Sequence, residues 1–251
     1  ISAIQVRTAM QDGVLIPWRK NRPEDTTTGW ELLHADRGGL HLDPRPGIHV
    51  DVFELDFASL FPSLIATRNI SPETLGCTCC AGSGQASFVP LDPDEAKRWF
   101  RKRDVSLRLD PAPGSSPAAL SVPGLDLHTC LQHHGLLGRV VAPLIRRRSE
   151  LKAQRTGPRD DADRRQLALK WLLVTCFGYT GYRNARFGRI EAHEAICAWA
   201  RDVMLEGIEA ARADGWDVVH GIVDSLWITD VSGRSNDERA VAAQRLADRL
   251  G

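Results

Sequence analysis

The sequence predicts an α+β fold: an antiparallel sheet backed by helices, with a two-helix insertion. Three observations carry this. Residues 50–55 alternate roughly between apolar and acidic side chains, and DGWDVVHGIVDSLWITD reads as a β-hairpin with Asp224 at its tip. Apolar residues recur at helical spacing from Gly135 to Gln154 and again from about Ala162 to Cys176, with the polar break TGPRDD between them. Glu191–Ala213 reads as a further long helix, with Ile196, Ala200, Val203 and Ile208 on one face.

Taken in order, residues 1–50 are mixed, with turn signals at RPED and DPRPG. IHVDVFELDFASLFPSLI predicts a strand running into a helix. Pro62 fits the first turn of that helix, where a missing N–H costs little. Residues 81–126 are rich in Gly, Ser and Pro and predict a poorly ordered insertion with one short helix near PDEAKRWFRKR. Leu137, Val140, Val141, Leu144, Ile145 and Leu151 form the apolar face of the first hairpin helix. GYTGYRNARFG predicts a loop or short hairpin, and NDERAVAAQRLADRLG starts a last helix. There is no internal repeat.

An apolar content of 43% allows a real core, and no run of 18 apolar residues suggests a membrane span. The N-terminus lacks the pattern of a signal peptide, and its start without Met predicts a piece of a longer chain. Six cysteines in a chain of 251 residues do not make a disulfide framework, so the expected compartment is the reducing cytoplasm. The net charge of zero hides an asymmetry. Arg139–Lys170 holds ten Lys/Arg against four Asp/Glu, and Arg189–Gly251 holds seven Arg against twelve Asp/Glu. Either this is ordinary solvated surface, or it is a polyanion clamp beside a cation site.

Two carboxylates sharpen that choice. Asp56 ends one strand and Asp224 sits on another. On neighbouring antiparallel strands they would converge, repel each other and call for cations. Mg²⁺ prefers a few carboxylates plus phosphate oxygens. Two ions about 4 Å apart can clamp the attacking and leaving oxygens of a phosphoryl transfer. Arg148 and Lys152, four apart on one helical face, and Lys170 on the facing helix would supply positive charge for a triphosphate. The competing reading of each Asp is a turn or cap residue.

The cysteines leave two readings open. Cys77-x-x-Cys80 has zinc-ligand spacing, Cys79 lies between, and Cys130, near His128, would close a structural site joining the ends of the insertion. The same residues could be free thiols packed as small hydrophobes.

The surrounding letters resemble a known family. DFASLFPS resembles the DxxSLYPS motif of family B DNA polymerases, with Phe61 where Tyr is usual, and RNISPETL resembles its continuation. LKWLLVTCFGYTGY resembles KxxxNSxYGxxG, with Lys170, Phe177, Gly178 and Gly181 in register. HGIVDS resembles YGDTDS, and DRGG at Asp36–Gly39 resembles the YxGG linker motif. The resemblance covers most of residues 35–230 and is closest to divergent archaeal and bacterial members.

That resemblance implies a palm sheet with a two-helix fingers insertion. Residues 1–134 would be the N-terminal part of the palm with its linker and Cys-containing insertion. Residues 135–178 would be the fingers and 179–251 the rest of the palm, without exonuclease or thumb. It implies template-directed DNA synthesis on a primer 3′-OH with two Mg²⁺ ions, the alternative being a catalytically impaired DNA-binding or scaffold module. Asp56 and Asp224 would be the catalytic carboxylates, and the Phe57 carbonyl would add a metal ligand. Ser59, Leu60 and Phe61 would seat the incoming deoxynucleotide, Phe61 excluding a 2′-OH, and Arg148, Lys152 and Lys170 would hold its triphosphate. Gly38, Gly39, Tyr179, Gly181 and Tyr182 would meet DNA. The implied partners are primer-template DNA, deoxynucleoside triphosphates, and a thumb segment, exonuclease segment or processivity factor. The sequence departs from the family pattern at Ile222, where YGDTDS has its first Asp, at His220, and at Val174 and Thr175, where the helix motif has Asn and Ser.

Overall fold

The computed structural model describes residues 1–14, 16, 28–30, 33, 37–80 and 119–250. The turn at RPED, the short helix near PDEAKRWFRKR and Asp36 of DRGG lie outside these residues.

The α+β expectation holds. Four antiparallel strands form the main sheet in the order β1 (Leu40–Leu42), β5 (Trp216–Val223), β6 (Ser225–Asp230) and β2 (Phe53–Asp56). The hairpin pairs Ile222 with Ser225, leaving Val223 and Asp224 as its turn. β2 runs beside β6 with Asp56 opposite Ser225, and β1 runs beside β5 with His41 opposite Ile222. Residues directly opposite one another share a face. His41, Ile222, Ser225 and Asp56 therefore form one row across four strands, at the end of the sheet that carries the turn.

Helices back the sheet. α5 (Ile190–Ala213) packs on β1, β5 and β6. Its buried positions include Ala192, Ala195, Ala198, Ala200 and Gly207, and these small side chains let it lie close to the strands. A Cβ on Gly207 would stand 3.2 Å from the tip of Phe57 and 3.3 Å from Leu226. Fully buried Ile196, Met204, Trp216, Leu226 and Ile228 fill the space between, each large side chain contributing on the order of 1.5–3 kcal/mol. α6 (Asn236–Leu250) adds buried Ala243 and Leu246.

The predicted helix pair is present as α3 (Leu136–Ala153) and α4 (Asp161–Thr180). Leu137, Val141, Leu173 and Cys176 enter the main core. α3 has no buried residue between Val141 and Leu151, and the buried residues in the first turns of α4 are the polar Asp163 and Gln166. Apolar burial thus concentrates at the root of the pair. Asp160 caps α4 by accepting the N–H of Asp163 (2.6 Å) and that of Thr156 (2.7 Å). α3 is capped from a distance: Asn69 Oδ1 accepts the N–H of Gly135 (2.8 Å) and Glu73 Oε1 that of Leu136 (2.5 Å).

Three expectations need correction. Residues 2–11, read as mixed, form α1 (Ser2–Gln11) beside α3, with Gln5 and Ala9 buried; a helix this short and weakly amphipathic leaves little periodic signal. The end of the span read as a poorly ordered insertion contains β3 (Ala119–Ser121), which pairs with β4 (His128–Cys130) across a turn at Pro123–Gly124. Three-residue strands are below the length at which alternation shows. Finally, α4 continues to Thr180, so the Gly-Tyr-Thr read as loop is its last turn, closed by the Thr180 hydroxyl donating to the Phe177 carbonyl (2.6 Å).

Candidate active site

Strand register brings the two predicted carboxylates to one place. Asp56 is the last residue of β2, and Asp224 is in the turn beside Ser225, which faces Asp56. The Ser225 hydroxyl donates to Asp56 Oδ1 (3.2 Å), and the Phe57 N–H donates to the Asp224 carbonyl (2.8 Å). Burial and the Asp56 charge push Asp224 above the usual carboxylate range, partly offset by its own N–H and by Lys170. Two negative groups held together in this way favour a cation between them.

The turn itself is strained. Val223 has φ of +55°, and the Asp224 N–H donates back to the Ile222 carbonyl (2.6 Å). A β-branched residue in the left-handed region costs about 1–2 kcal/mol. Neighbours enforce it: a Cβ on Gly39 would lie 3.2–3.3 Å from the Val223 Cα and methyl groups. Gly38, at φ +61°, turns the chain into β1, and Arg201 donates to its carbonyl (2.7 Å). The predicted glycine pair therefore lies against the carboxylate turn.

Beside Asp56 the chain makes its own sharp turn. Ser59 has φ of +58° and forms the N-cap of α2 (Leu60–Thr67), with Pro62 in the first turn as expected. The Leu60 N–H donates to the Phe57 carbonyl (3.2 Å), and Arg148 donates to the Ser59 hydroxyl. Desolvation lowers the Arg148 pKa against the pull of Asp56. Partial desolvation and the Arg148 charge also lower that of Lys152, with Asp56 again opposing and Lys170 adding to the effect. Arg148, Lys152 and Lys170 are thus within electrostatic reach of the acidic pair. Arg147 and Arg155 are instead paired within the helix hairpin, with Glu150 (2.8 Å) and Asp163 (3.1 Å).

Phe61 stacks on Phe177, centroids 4.4 Å apart, and Phe177 stacks on His193 at 4.5 Å. Gly181 fits where its Cβ would be 3.1 Å from the His193 ring. Tyr179 and Tyr182 meet edge to face at 5.8 Å, with Tyr182 half exposed. Sequence reasoning missed Ser225, Val223, Arg201, Gly207 and His193. Only the Gly-rich pattern hinted at close approach, and no local pattern marks a serine that meets an aspartate 169 positions away.

The thiols of Cys77, Cys79, Cys80 and Cys130 gather within 4.8 Å of one another, a set able to hold a metal ion. Among the described residues no helix is long and apolar enough to cross a membrane.

Comparisons with known proteins identify the family. The profile of DNA polymerase family B matches residues 3–226. DNA polymerase 2 of Saccharolobus solfataricus is 33% identical over 219 residues, covering 87% of this chain and 27% of the relative. DNA polymerase 2 of Aeropyrum pernix is 29% identical over 228 residues, covering 89% and 23%. The family B DNA polymerase structure from Pyrobaculum calidifontis superposes with a TM-score of 0.59 at 24% identity, covering 98% of this chain and 26% of that one. The chain spans about a quarter of the length of these relatives. The family match over nearly the whole chain, and motifs that converge on one sheet end, lead to one conclusion: the chain belongs to the family B DNA polymerases.

Proposed function

We propose that this chain carries the palm and fingers of a DNA-directed DNA polymerase that extends a primer 3′-OH with deoxynucleotides. The observation that supports it best is the facing of Asp56 and the Asp224 turn on adjacent strands, with Arg148, Lys152 and Lys170 within electrostatic reach of them. In this reading residues 135–178 are the fingers and the four-stranded sheet is the palm.

The donor set fits a hard divalent ion: two carboxylates, one destabilised when ionised, and the Phe57 carbonyl, which keeps a lone pair beside its bond to Leu60. Bound Mg²⁺ would make the primer 3′-OH more acidic and neutralise charge on the departing pyrophosphate. The chain's own residues do the rest. Ser225 orients the Asp56 carboxylate through its hydroxyl. Arg148, Lys152 and Lys170 bind the triphosphate, and Arg148, partly buried, pays little further desolvation when the phosphate arrives. The start of α2 offers backbone N–H groups to phosphate oxygens; with Leu60 committed to Phe57, those of Ser59 and Phe61 are the candidates. The Phe61 ring, braced by Phe177, is in this reading the steric wall that would exclude a 2′-OH. Gly38, Gly39, Tyr179, Gly181 and Tyr182 border the path of primer-template DNA.

A second reading has a specific observation behind it. Ile222 occupies the carboxylate row where the family motif has Asp, and exposed Val174 stands where the helix motif has Asn. A DNA-binding module with impaired catalysis would show these features. Primer extension with Mg²⁺ or Mn²⁺, beside an Asp224→Ala control, separates the two. Incorporation by the parent and not by the control is expected. Equal, background-level incorporation by both leaves only the binding module.

A further inference from the structure

Four sulfurs bound at 2.3 Å to one tetrahedral ion lie about 3.8 Å from one another. In this protein Cys79 Sγ is 3.2 Å from Cys77, 3.8 Å from Cys80 and 3.7 Å from Cys130, and Cys80 Sγ is 3.7 Å from Cys130. Three of these four separations match that edge, one is shorter, and all four sulfurs lie within 4.8 Å of one another, which is the scale of a mononuclear site. All four cysteines are free thiols, and none of these separations is a disulfide bond. Polar groups flank the cluster. His128 Nε2 lies 3.5 Å from Cys77 Sγ, and backbone N–H groups of His133 and Gln132 bond to Cys130. Cys80 and Cys130 are buried, and only Cys79 is exposed, as in a closed site with no position for substrate.

The position of the cluster says what it fastens. Cys77–Cys80 follows the segment 69–76, and Cys130 ends β4, six residues before α3. The same two segments are already stitched by backbone: Cys130 N–H to Thr74 O (2.8 Å) and Gly76 N–H to His128 O (2.9 Å). Asn69 Nδ2 donates to the carbonyls of Cys130 and His133, both at 2.6 Å, while its Oδ1 caps Gly135. Glu73 and Ser71 accept from the first N–H groups of α3. The cap of α3 is therefore built on the segment that leads into the cysteines.

We propose that one Zn²⁺ ion, held by Cys77, Cys79, Cys80 and Cys130, locks the root of helix α3 to the segment 69–76. Through α3 it sets where Arg148 and Lys152 stand relative to Asp56. The ion's binding and the locking of α3 stand on this geometry alone; only the consequence for nucleotide binding rests on the polymerase reading.

The test is metal analysis of protein purified without chelator, followed by amide hydrogen exchange before and after zinc removal. One zinc per chain is expected. Its removal should speed exchange at residues 69–76 and 128–140 by roughly tenfold or more, with the middle of α5 unchanged. Cys79→Ser, at the exposed ligand, should lose zinc and reproduce the pattern without a large core change. Iron in place of zinc, no stoichiometric metal, or disulfides among these cysteines by mass spectrometry would overturn the site. Zinc whose removal leaves exchange at 128–140 unchanged would overturn the lock. A zinc-replete, normally protected protein that fails in primer extension would count against the polymerase reading and leave this one standing.

Discussion

Replacing Ile222 by Asp tests the carboxylate row most directly. Ile222 and Asp56 share a face, two strands apart through Ser225. Two interstrand steps of about 4.8 Å separate their Cα atoms by about 10 Å. At an effective dielectric of 20, two unit charges at that distance repel by about 1.7 kcal/mol, an upper bound because Asp56 is exposed and screened. Losing the half-buried isobutyl-sized side chain costs about 1 kcal/mol more. In EDTA, Ile222→Asp should therefore be less stable by about 1–3 kcal/mol, a fall in Tm of roughly 3–10 °C for a chain of this size. A third carboxylate also raises cation affinity, and bound cation stabilises the folded state by mass action. Thermal melting at fixed ionic strength across a Mg²⁺ titration should show a larger Tm rise in the variant than in the parent. Equal Mg²⁺ responses in the two proteins would refute the placement of position 222 in a cation-binding row.

Asp224→Asn, melted in EDTA at pH 7, should be more stable than the parent, because burial and Asp56 raise the Asp224 pKa and make its ionised form a cost to folding. That advantage is present above the raised folded value and disappears as pH falls through it toward the unfolded value near 3.8. Asp160 behaves in the opposite sense: backbone N–H groups of Thr156 and Asp163 hold its pKa at about 2. Its cap on α4 should be fully present above about pH 4 and lost as pH falls toward 2, so Asp160→Ala and the parent should differ in α4 amide exchange at pH 6 and converge at pH 2. Gly135→Ala would place a Cβ 2.6 Å from Ser71 Cβ; denaturant unfolding should show a loss of about 1–3 kcal/mol. Phe61→Ala should raise ribonucleotide incorporation relative to deoxynucleotide, read as the ratio of kcat/KM values in primer extension.

The elements that position the site were legible in the sequence where periodicity was long. The hairpin around Asp224, the strand before Asp56 and the helices α3, α4 and α5 all carry alternation or helical spacing over many residues. What was not legible is contact between distant segments. Nothing near Gly207 announces that it meets Phe57 and Leu226, because a residue's neighbour across a sheet or under a helix leaves no local trace. The pairing of Asp56 with Ser225 follows from the register of β2 against β6, two strands far apart in the chain, and no spacing in the sequence encodes it. The four cysteines show the intermediate case. CxxC spacing marked two of the clustered thiols, while the arrival of Cys130 depended on β4 pairing back onto the segment before Cys77.

The three stacked rings at Phe61, Phe177 and His193 form a column that joins α2, α4 and α5. Its top is the proposed floor under the sugar, and its foot stands on a helix with no direct business with substrate. The height of that floor is thus governed from below. Shortening the foot would let the floor sink, and sugar discrimination would loosen without any change to a residue that touches the nucleotide.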